Sequence, residues 1–304
     1  MPERAAHPTH LGSIGDALQD AADRLAASGL PGSRREATML WAAVAGAGIK
    51  PGDVWLQRDQ EPAAGLTERF YHAVERRASG VPFAYAVGRT GFRTLDLKLD
   101  ARALIPRPET EGLVELVLKW ALPGARAPGS GHRGIAADIG TGCGCIALAL
   151  AVEGAFERVI AVERSAQAAA LARENVALVQ PPVPFEVREG DLLAPLAGER
   201  CRAIVSNPPY LTEAEHAGLD STVRLFEPRD ALVSGADGLG ATRALLTGAR
   251  EVLEPGGLLA LEVDERRARR VARLARELAW SRVRVYDDVF GRPRYVLAIL
   301  EEGA

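Results

Sequence analysis

Ala136-Ala137-Asp138-Ile139-Gly140-Thr141-Gly142-Cys143-Gly144 is a short apolar run that breaks into three glycines at alternate positions, and the helix-like Cys145-Ile146-Ala147-Leu148-Ala149-Leu150 follows at once. A buried strand that enters a glycine turn and leaves as a helix is the unit from which α/β sheets are built, and the bare backbone lets a ligand press against it. The spacing is G-x-G-x-G. It differs from the G-x-G-x-x-G of a pyrophosphate-binding dinucleotide turn, and the chain has no G-x-x-x-x-G-K-[ST] triphosphate loop. A ligand without phosphate suits the turn better. One strand later, Arg158-Val159-Ile160-Ala161-Val162-Glu163 ends in a carboxylate, a bidentate acceptor for the two hydroxyls of a ribose. After a further expected strand, Pro184 to Arg188, Glu189-Gly190-Asp191 places another acid where an adenine amino group could be bound. Singly, each feature is commonplace, since glycine turns redirect the chain and strand-end acids meet water. Together, the block from Asp138 through Gly140, Thr141, Gly142 and Cys143 to Gly144, with Glu163 and Asp191, describes a pocket for S-adenosylmethionine.

A second strand-like run, Ala203-Ile204-Val205-Ser206, ends in Asn207-Pro208-Pro209-Tyr210. The Asn207 side-chain oxygen and the Pro208 carbonyl can both accept from one NH2 group, and the Tyr210 ring can stack on the plane behind it. Proline suits such a tip because its fixed φ and missing N–H leave a rigid backbone that offers only acceptors. The bland reading is a proline-rich turn, and the glycine block upstream is what favours a site for a flat amide or amino group.

The 304 residues exceed what one core commonly organises, which allows two domains, and 47% hydrophobic content is ample for burial. A net charge of −3 gives no general reason to expect stable nucleic-acid binding or an anionic membrane as partner. No apolar stretch approaches the roughly 20 residues of a membrane span, and Met1 to His10 lacks the apolar core of a secretory signal, so a cytoplasmic location is expected. Three cysteines cannot make a disulfide framework, and Cys143 with Cys145 lacks the second pair of a structural zinc site. The five histidines, His7, His10, His72, His132 and His216, show no ligand spacing, and no metal is expected.

Three stretches before residue 80 carry helical periodicity: Ile14, Leu18 and Leu25; Met39, Leu40 and Val44; Leu66, Phe70 and Val74. They predict a helical bundle over 1–80, with helix stops at Gly29-Leu30-Pro31-Gly32 and Lys50-Pro51-Gly52-Asp53. Arg93 to Asp100 alternates, with Leu95, Leu97 and Leu99 on one face, and reads as a half-buried strand. Paired with Phe83 to Val87 through Gly88-Arg89-Thr90-Gly91, it predicts a linking β-hairpin over 81–105. A third region, 106–304, carries the ligand motifs after an exposed loop at Pro123 to Gly134. From Ile135 onward strands and helices alternate, predicting a mostly parallel sheet with helices on both faces. The helix beginning near Ser165 has a capping residue and the stripe Ala168, Leu171, Ala172 and Val176. Leu258 to Val263 is another buried strand, and Arg282 to Val289 with Arg294 to Leu300 close the sheet as an antiparallel hairpin. The basic run Glu265-Arg266-Arg267-Ala268-Arg269-Arg270 begins a helix whose stripe is Val271, Leu274 and Leu278, and its arginines read as a solvated face.

The chain resembles the HemK family, the protein-(glutamine-N5) methyltransferases of peptide chain release factors. Four blocks carry the resemblance: Leu104-Ile105-Pro106-Arg107-Pro108-Glu109-Thr110-Glu111, the glycine block from Asp138 to Leu150, Val205 to Tyr210, and Phe226-Glu227-Pro228 continuing to Asp237-Gly238-Leu239. The resemblance implies a class I S-adenosylmethionine-dependent methyltransferase fold, Rossmann-like, behind an N-terminal helical domain that docks the release factor while its Gly-Gly-Gln loop enters the pocket. It implies that Asn207 and Leu192 join the cofactor contacts, and that Arg107, Pro108, Glu109 and Thr110 border the substrate beside Asn207, Pro208, Pro209 and Tyr210. Read from residues alone, Arg107 to Glu111 is a helix N-terminus, with Pro108 in the first turn and Glu109 and Glu111 facing the helix dipole. The chain departs from the family at Glu262-Val263-Asp264-Glu265-Arg266-Arg267, where relatives commonly carry Glu-x-Gly-x-x-Gln. It also has Glu163 where many relatives have Asp, and Leu192 where some have an aromatic residue. Two rival readings are an amino methyltransferase acting on adenine or guanine in DNA or RNA, and a release-factor-binding adaptor without turnover. The acidic pI near 6.0 and the Leu104 to Glu111 block speak against the first, and the intact motifs against the second.

Overall fold

A computed structural model describes residues 12–46, 48–122 and 134–301; Met1 to His10, His132 and nearly all of the loop expected at Pro123 to Gly134 lie outside the described residues. The chain divides into two compact units, Met1–Arg89 and Thr90–Ala304.

The first unit is helical. Helix α1 (Ile14–Ala27) starts at Ser13, whose side chain accepts the Asp16 N–H, and α2 (Ser33–Ala45) follows the Gly29 to Gly32 break. Lys50-Pro51-Gly52-Asp53, expected to stop a helix, starts one instead. Pro51 opens α3 (Pro51–Leu56) and Asp53 accepts the Lys50 N–H at 2.9 Å, because a proline that ends one helix also fits the first turn of the next. Helix α4 (Leu66–Ala78) buries Leu66, Phe70 and Val74 against Leu25 and Leu40, and Trp41 meets Phe70 edge-on at 4.7 Å. Leu18 and Val44 pack on this core half-buried.

Phe83 to Val87 is a helix, α5 (Phe83–Val87), where a strand was expected. The Pro82 carbonyl accepts the Ala86 N–H at 2.9 Å, closing a turn, and Gly88 ends it at φ 74°. Five residues are too few to display a period, so the apolar run alone did not distinguish the two. The hairpin is formed instead by β1 (Arg89–Phe92) and β2 (Leu95–Lys98), with Arg93 at φ 53° in the turn between them. Leu95, Leu97 and Leu99 are buried on one face as the alternation required.

In the second unit, α6 (Pro108–Ala121) precedes the sheet. The alternation then runs β3 (Ile135–Ile139), α7 (Cys145–Glu153), β4 (Arg158–Glu163), α8 (Ala166–Val179), β5 (Phe185–Glu189) and β6 (Cys201–Ser206). Short helices α9 (Glu213–Ala217) and α10 (Ser221–Phe226) lead to α11 (Gly240–Val252), β7 (Leu253–Glu262) and α12 (Ala268–Glu277), and the unit closes with β8 (Ser281–Asp287) and β9 (Pro293–Ile299). The seven strands lie in the order β5-β4-β3-β6-β7-β9-β8; β5 through β7 are parallel, while β9 is antiparallel to β7 and to β8. The mostly parallel sheet with an antiparallel C-terminal hairpin is therefore present. All five residues of β3 are buried, which is why the central strands read as unbroken apolar runs. Strand β7 begins before the expected Leu258. Cys201 pairs with Leu253 and the next pair is Ala203 with Leu258, so Pro255-Gly256-Gly257 bulges within the strand instead of preceding it. Among the described residues, no helix is long and apolar enough to cross a membrane.

Helix α12 buries Ala268, Val271, Ala272 and Ala275, but Arg267, the residue just before it, departs from the expected solvated face. The Arg267 side chain is only 12% exposed; it meets Glu215 at 2.6 Å and donates through Nε to the Asp237 carbonyl at 3.2 Å. A second buried polar residue, Asn175 of α8, carries no sequence signal. It accepts the Lys98 N–H at 2.7 Å and donates to the Lys98 and Cys143 carbonyls at 3.0 and 2.9 Å, tying β2 to the glycine turn. Asn175→Ala strands one backbone donor and two acceptors, so chemical denaturation should show a loss of about 2–4 kcal/mol.

Candidate active site

The strand order changes direction between β3 and β6, and in open α/β sheets the ligand crevice lies outside the carboxyl ends of the strands at that point. Ser206 Oγ, at the end of β6, donates to the Ile139 carbonyl at the end of β3 at 2.6 Å, so the two tips are fixed together. A cavity of about 750 Å3 opens there.

One wall is the glycine turn. Gly140 and Gly142 have φ of 74° and 57°, a left-handed backbone that disfavours side chains, and both line the cavity. The N–H groups of Gly140 and Thr141 both donate to the Val162 carbonyl, at 2.9 and 3.0 Å. Glu163, on the cavity wall, accepts the Gly142 N–H on one oxygen and the Ser165 N–H on the other, each at 2.9 Å. One lone pair per oxygen is thus used, and the remainder stay available to a ligand.

Asp138 lies behind this turn and not on the cavity wall. It is fully buried, with one oxygen accepting from Thr141 Oγ1 at 2.5 Å and from the Ala147 N–H at 3.2 Å, which holds the turn onto the start of α7. Burial pushes its carboxyl up to about 7; the two hydrogen bonds pull it down, and the neighbouring Glu163 adds a small push upward. Thr141 faces Asp138. Cys143 and Gly144 are likewise off the cavity wall: Cys143 is buried, with its carbonyl taken by Asn175, and Gly144 lies against Leu148 and Ala172. The Cys145 thiol is held well above its ordinary value by its hydrogen bond with Cys143 and by burial.

Asp191 and Leu192 follow β5 onto the opposite side of the cavity, Leu192 with φ 47°, and Asn207, Pro208 and Pro209 complete the wall from the tip of β6. Tyr210 stands just outside it. The Tyr210 and Leu211 N–H groups donate to the Leu232 carbonyl at 3.1 and 2.8 Å. Burial raises the Tyr210 phenol above its ordinary value, and the Glu262 carboxylate adds to the effect.

None of Arg107, Pro108, Glu109 and Thr110 lines the cavity. Pro108 opens α6, and Arg107 pairs at 2.7 Å with Glu227, a carboxylate only 5% exposed that also accepts the Ile105 N–H. The Glu109 carbonyl accepts from the Tyr295 hydroxyl at 2.5 Å. Thr110 reaches the site indirectly, accepting from Asn207 Nδ2 at 3.2 Å. Glu227 belongs to the Phe226 to Leu239 block and Glu262 opens the segment that departs from the family pattern, but nothing in either context marks a buried partner. Among the described residues, no cluster of three or more His, Cys, Asp or Glu could hold a metal ion.

Comparison with known proteins agrees with this architecture. Residues 16–88 match the PrmC N-terminal domain and residues 128–237 the methyltransferase small domain. The chain is 39% identical to the release factor glutamine methyltransferase of Moorella thermoacetica over 95% of its own length and 99% of the relative's. It belongs to the release factor glutamine methyltransferase family. The enzyme of that name from Xylella fastidiosa is 45% identical across 66% of this chain and 70% of its own. A solved methyltransferase from Pyrococcus furiosus superposes with a TM-score of 0.52 at 21% identity, covering 75% of this chain and 99% of that one, which supports the fold.

The buried carboxylate beneath the glycine turn of this methyltransferase makes stability depend on pH. An ordinary Asp ionises near 3.8, whereas Asp138 in the fold does so near 7, so raising the pH across that window charges it in the unfolded chain before the folded one. Stability from this group is complete below about 4 and is lost as pH rises through 7. Asp138→Asn keeps the acceptor and removes the ionisation. Its melting temperature should therefore fall less than that of the unsubstituted enzyme between pH 5 and about pH 8; parallel melting curves would exclude this.

Proposed function

We propose that this chain transfers a methyl group from S-adenosylmethionine to the side-chain amide nitrogen of the glutamine in the Gly-Gly-Gln motif of peptide chain release factors. One observation carries the chemistry: Asn207 gives its NH2 to Thr110, which leaves the oxygen of the same amide to accept, next to the Pro208 carbonyl. A pair of acceptors is what a carboxamide NH2 needs. The cofactor suits the cavity on three counts. Its volume of about 750 Å3 falls within the range of ligand pockets. Glu163 retains lone pairs for two ribose hydroxyls, while Asp191 and Leu192 offer an acceptor and an apolar surface to an adenine.

S-adenosylmethionine, when bound, supplies a methyl group on a positively charged sulfur. The residues of this chain deal with a different difficulty, the weak nucleophilicity of an amide nitrogen whose lone pair is delocalised into its carbonyl. Asn207 Oδ1 and the Pro208 carbonyl accept the two amide hydrogens, raise electron density on nitrogen and stabilise the positive charge that grows there. Pro209 and the Tyr210 ring hold the amide plane. Both acceptors are fixed before the substrate arrives, one by the Thr110 contact and one by the proline backbone, so little reorganisation is required.

Incubation with isotopically labelled S-adenosylmethionine and a purified release factor should place a single methyl on the Gly-Gly-Gln glutamine, located by peptide mass spectrometry. Label on nucleic acid, or none on the factor, overturns the reading. Asn207→Ala should lower kcat by about 10²–10³ with cofactor affinity retained, because it removes one preorganised acceptor. Glu163→Ala should act on cofactor affinity instead, raising Kd by about tenfold to a hundredfold in calorimetry.

A further inference from the structure

Glu262 ends β7 with 1% of its surface exposed, and its Oε2 atom is buried with no hydrogen-bond partner among the described residues. The side chain of Thr110, itself 2% exposed in the first turn of α6, lies beside this carboxyl and lowers its pKa. Thr110 Oγ1 in turn accepts from Asn207 Nδ2 at 3.2 Å. The three groups come from β7, α6 and the tip of β6, and the series ends at the cavity wall.

A hydroxyl has one proton to give, while an ionised carboxylate can only accept. With Glu262 ionised, the Thr110 proton goes to Glu262, and Thr110 can only accept from Asn207. The Asn207 amide must then turn its NH2 to Thr110 and its oxygen the other way. We infer that Glu262 and Thr110 are positioning residues that set the orientation of the Asn207 amide, so that an acceptor and not a donor faces the substrate nitrogen. The inference rests on the methyl-transfer reading of the site for its consequence in turnover, but not for the hydrogen-bond line itself.

The carboxylate is what makes the line directional. Protonated Glu262 can donate to Thr110, which frees the Thr110 proton to pair with Asn207 Oδ1 and lets the amide turn over. An NH2 would then face the substrate NH2, donor against donor. Burial pushes Glu262 up to about 7, against the Thr110 hydrogen bond and the nearby Arg294 and Arg107 that lower it, with Glu109 raising it further. The Tyr210 and Tyr295 phenols also sense its charge. Turnover should accordingly rise with pH through about 7, since the ionised form is the orienting one.

Two readouts test this. In the first, 15N-asparagine-labelled protein is titrated without substrate, and the Asn207 side-chain NH2 signals are identified by their loss in Asn207→Ala. They should shift with an inflection near neutral pH that vanishes in Glu262→Gln, and should move outright in Thr110→Val. Signals indifferent to both substitutions overturn the inference, whether or not the protein methylates anything. In the second, kcat and KM are measured on the release factor. Thr110→Val should lose about tenfold to a hundredfold in kcat, the scale of a small misplacement of a reacting group, with KM for the cofactor unchanged, and Thr110→Ser should restore it. Glu262→Gln should flatten the pH profile. Wild-type kcat in a folded Thr110→Val protein sinks the positioning role. A wild-type protein that leaves the factor unmodified while the Asn207 signals titrate as described sinks the function reading and leaves the hydrogen-bond line standing.

Discussion

The second unit depends on how two neighbouring parallel strands end. Parallel strands need crossover connections, and successive crossovers carried β4 and β5 to one side of β3 while β6 and β7 lie on the other. No connection crosses the carboxyl ends of β3 and β6, so a crevice remains between helices that leave in opposite directions. The Ser206 to Ile139 hydrogen bond pins the two ends at the mouth of that crevice, and the two signature motifs each follow one of these ends directly. The glycine turn follows β3; Asn207, Pro208 and Pro209 follow β6. A ligand that touches both motifs is therefore a consequence of strand order, even though 67 residues separate Gly140 from Asn207 in the chain.

Residues off the cavity wall shape the ones on it. After Pro209 the Leu232 carbonyl takes the Tyr210 and Leu211 N–H groups, and the Leu211 carbonyl accepts the Ser234 N–H. Gly238 closes this arrangement from behind: a Cβ there would stand 2.2 Å from the Tyr210 carbonyl oxygen and 3.1 Å from the Arg267 guanidinium, so only glycine allows the approach. Arg267 then ties the Asp237 carbonyl to Glu215. On the other flank, Arg107 and Glu227 join the start of α6 to the segment after α10 through a pair whose carboxylate is almost wholly buried. A pair in such surroundings adds little net stability but is costly to break, which suits a contact whose work is to fix geometry.

The fold was readable because its strands are apolar and its turns are marked. Arg158 to Glu163 could be bounded to the residue, since a buried parallel strand is a continuous apolar run with a charged end, and Ser165 announced α8 by capping it. Phe83 to Val87 was not readable, because a one-turn helix between Pro82 and Gly88 has the same composition as a short strand and only tertiary packing separates them. The β7 bulge escaped for a related reason: Pro255-Gly256-Gly257 is a turn signal whether the strand starts before it or after it. On the cavity wall, Gly140, Gly142, Glu163 and Asn207 stood out by type and spacing, whereas Arg102, Gln167 and Ser234 did not. Nor did residues that act one layer back. Asn175, Glu227 and Glu262 are single polar letters in ordinary contexts, and their partners lie 32 to 152 positions away.

Two of those inner groups, Asp138 and Glu262, have carboxyls pushed by burial to the same value, about 7, and both sit against a threonine hydroxyl. An amide in either place would remove the cost of burying an ionisable group. It would also present a donor and an acceptor of nearly equal shape, leaving the neighbouring hydroxyl free to point either way. While ionised, a carboxylate has no donor, so every group around it must donate, and the direction of each hydrogen bond is settled without further contacts. Beneath the glycine turn that direction ends at Thr141 and the first turn of α7, and its effect stops at the shape of the loop. At the end of β7 it passes through Thr110 to an amide whose two ends differ only in which of them can accept. The same physical device thus serves shape in one place and chemistry in the other, and what separates them is the one further hydrogen bond between Thr110 and Asn207.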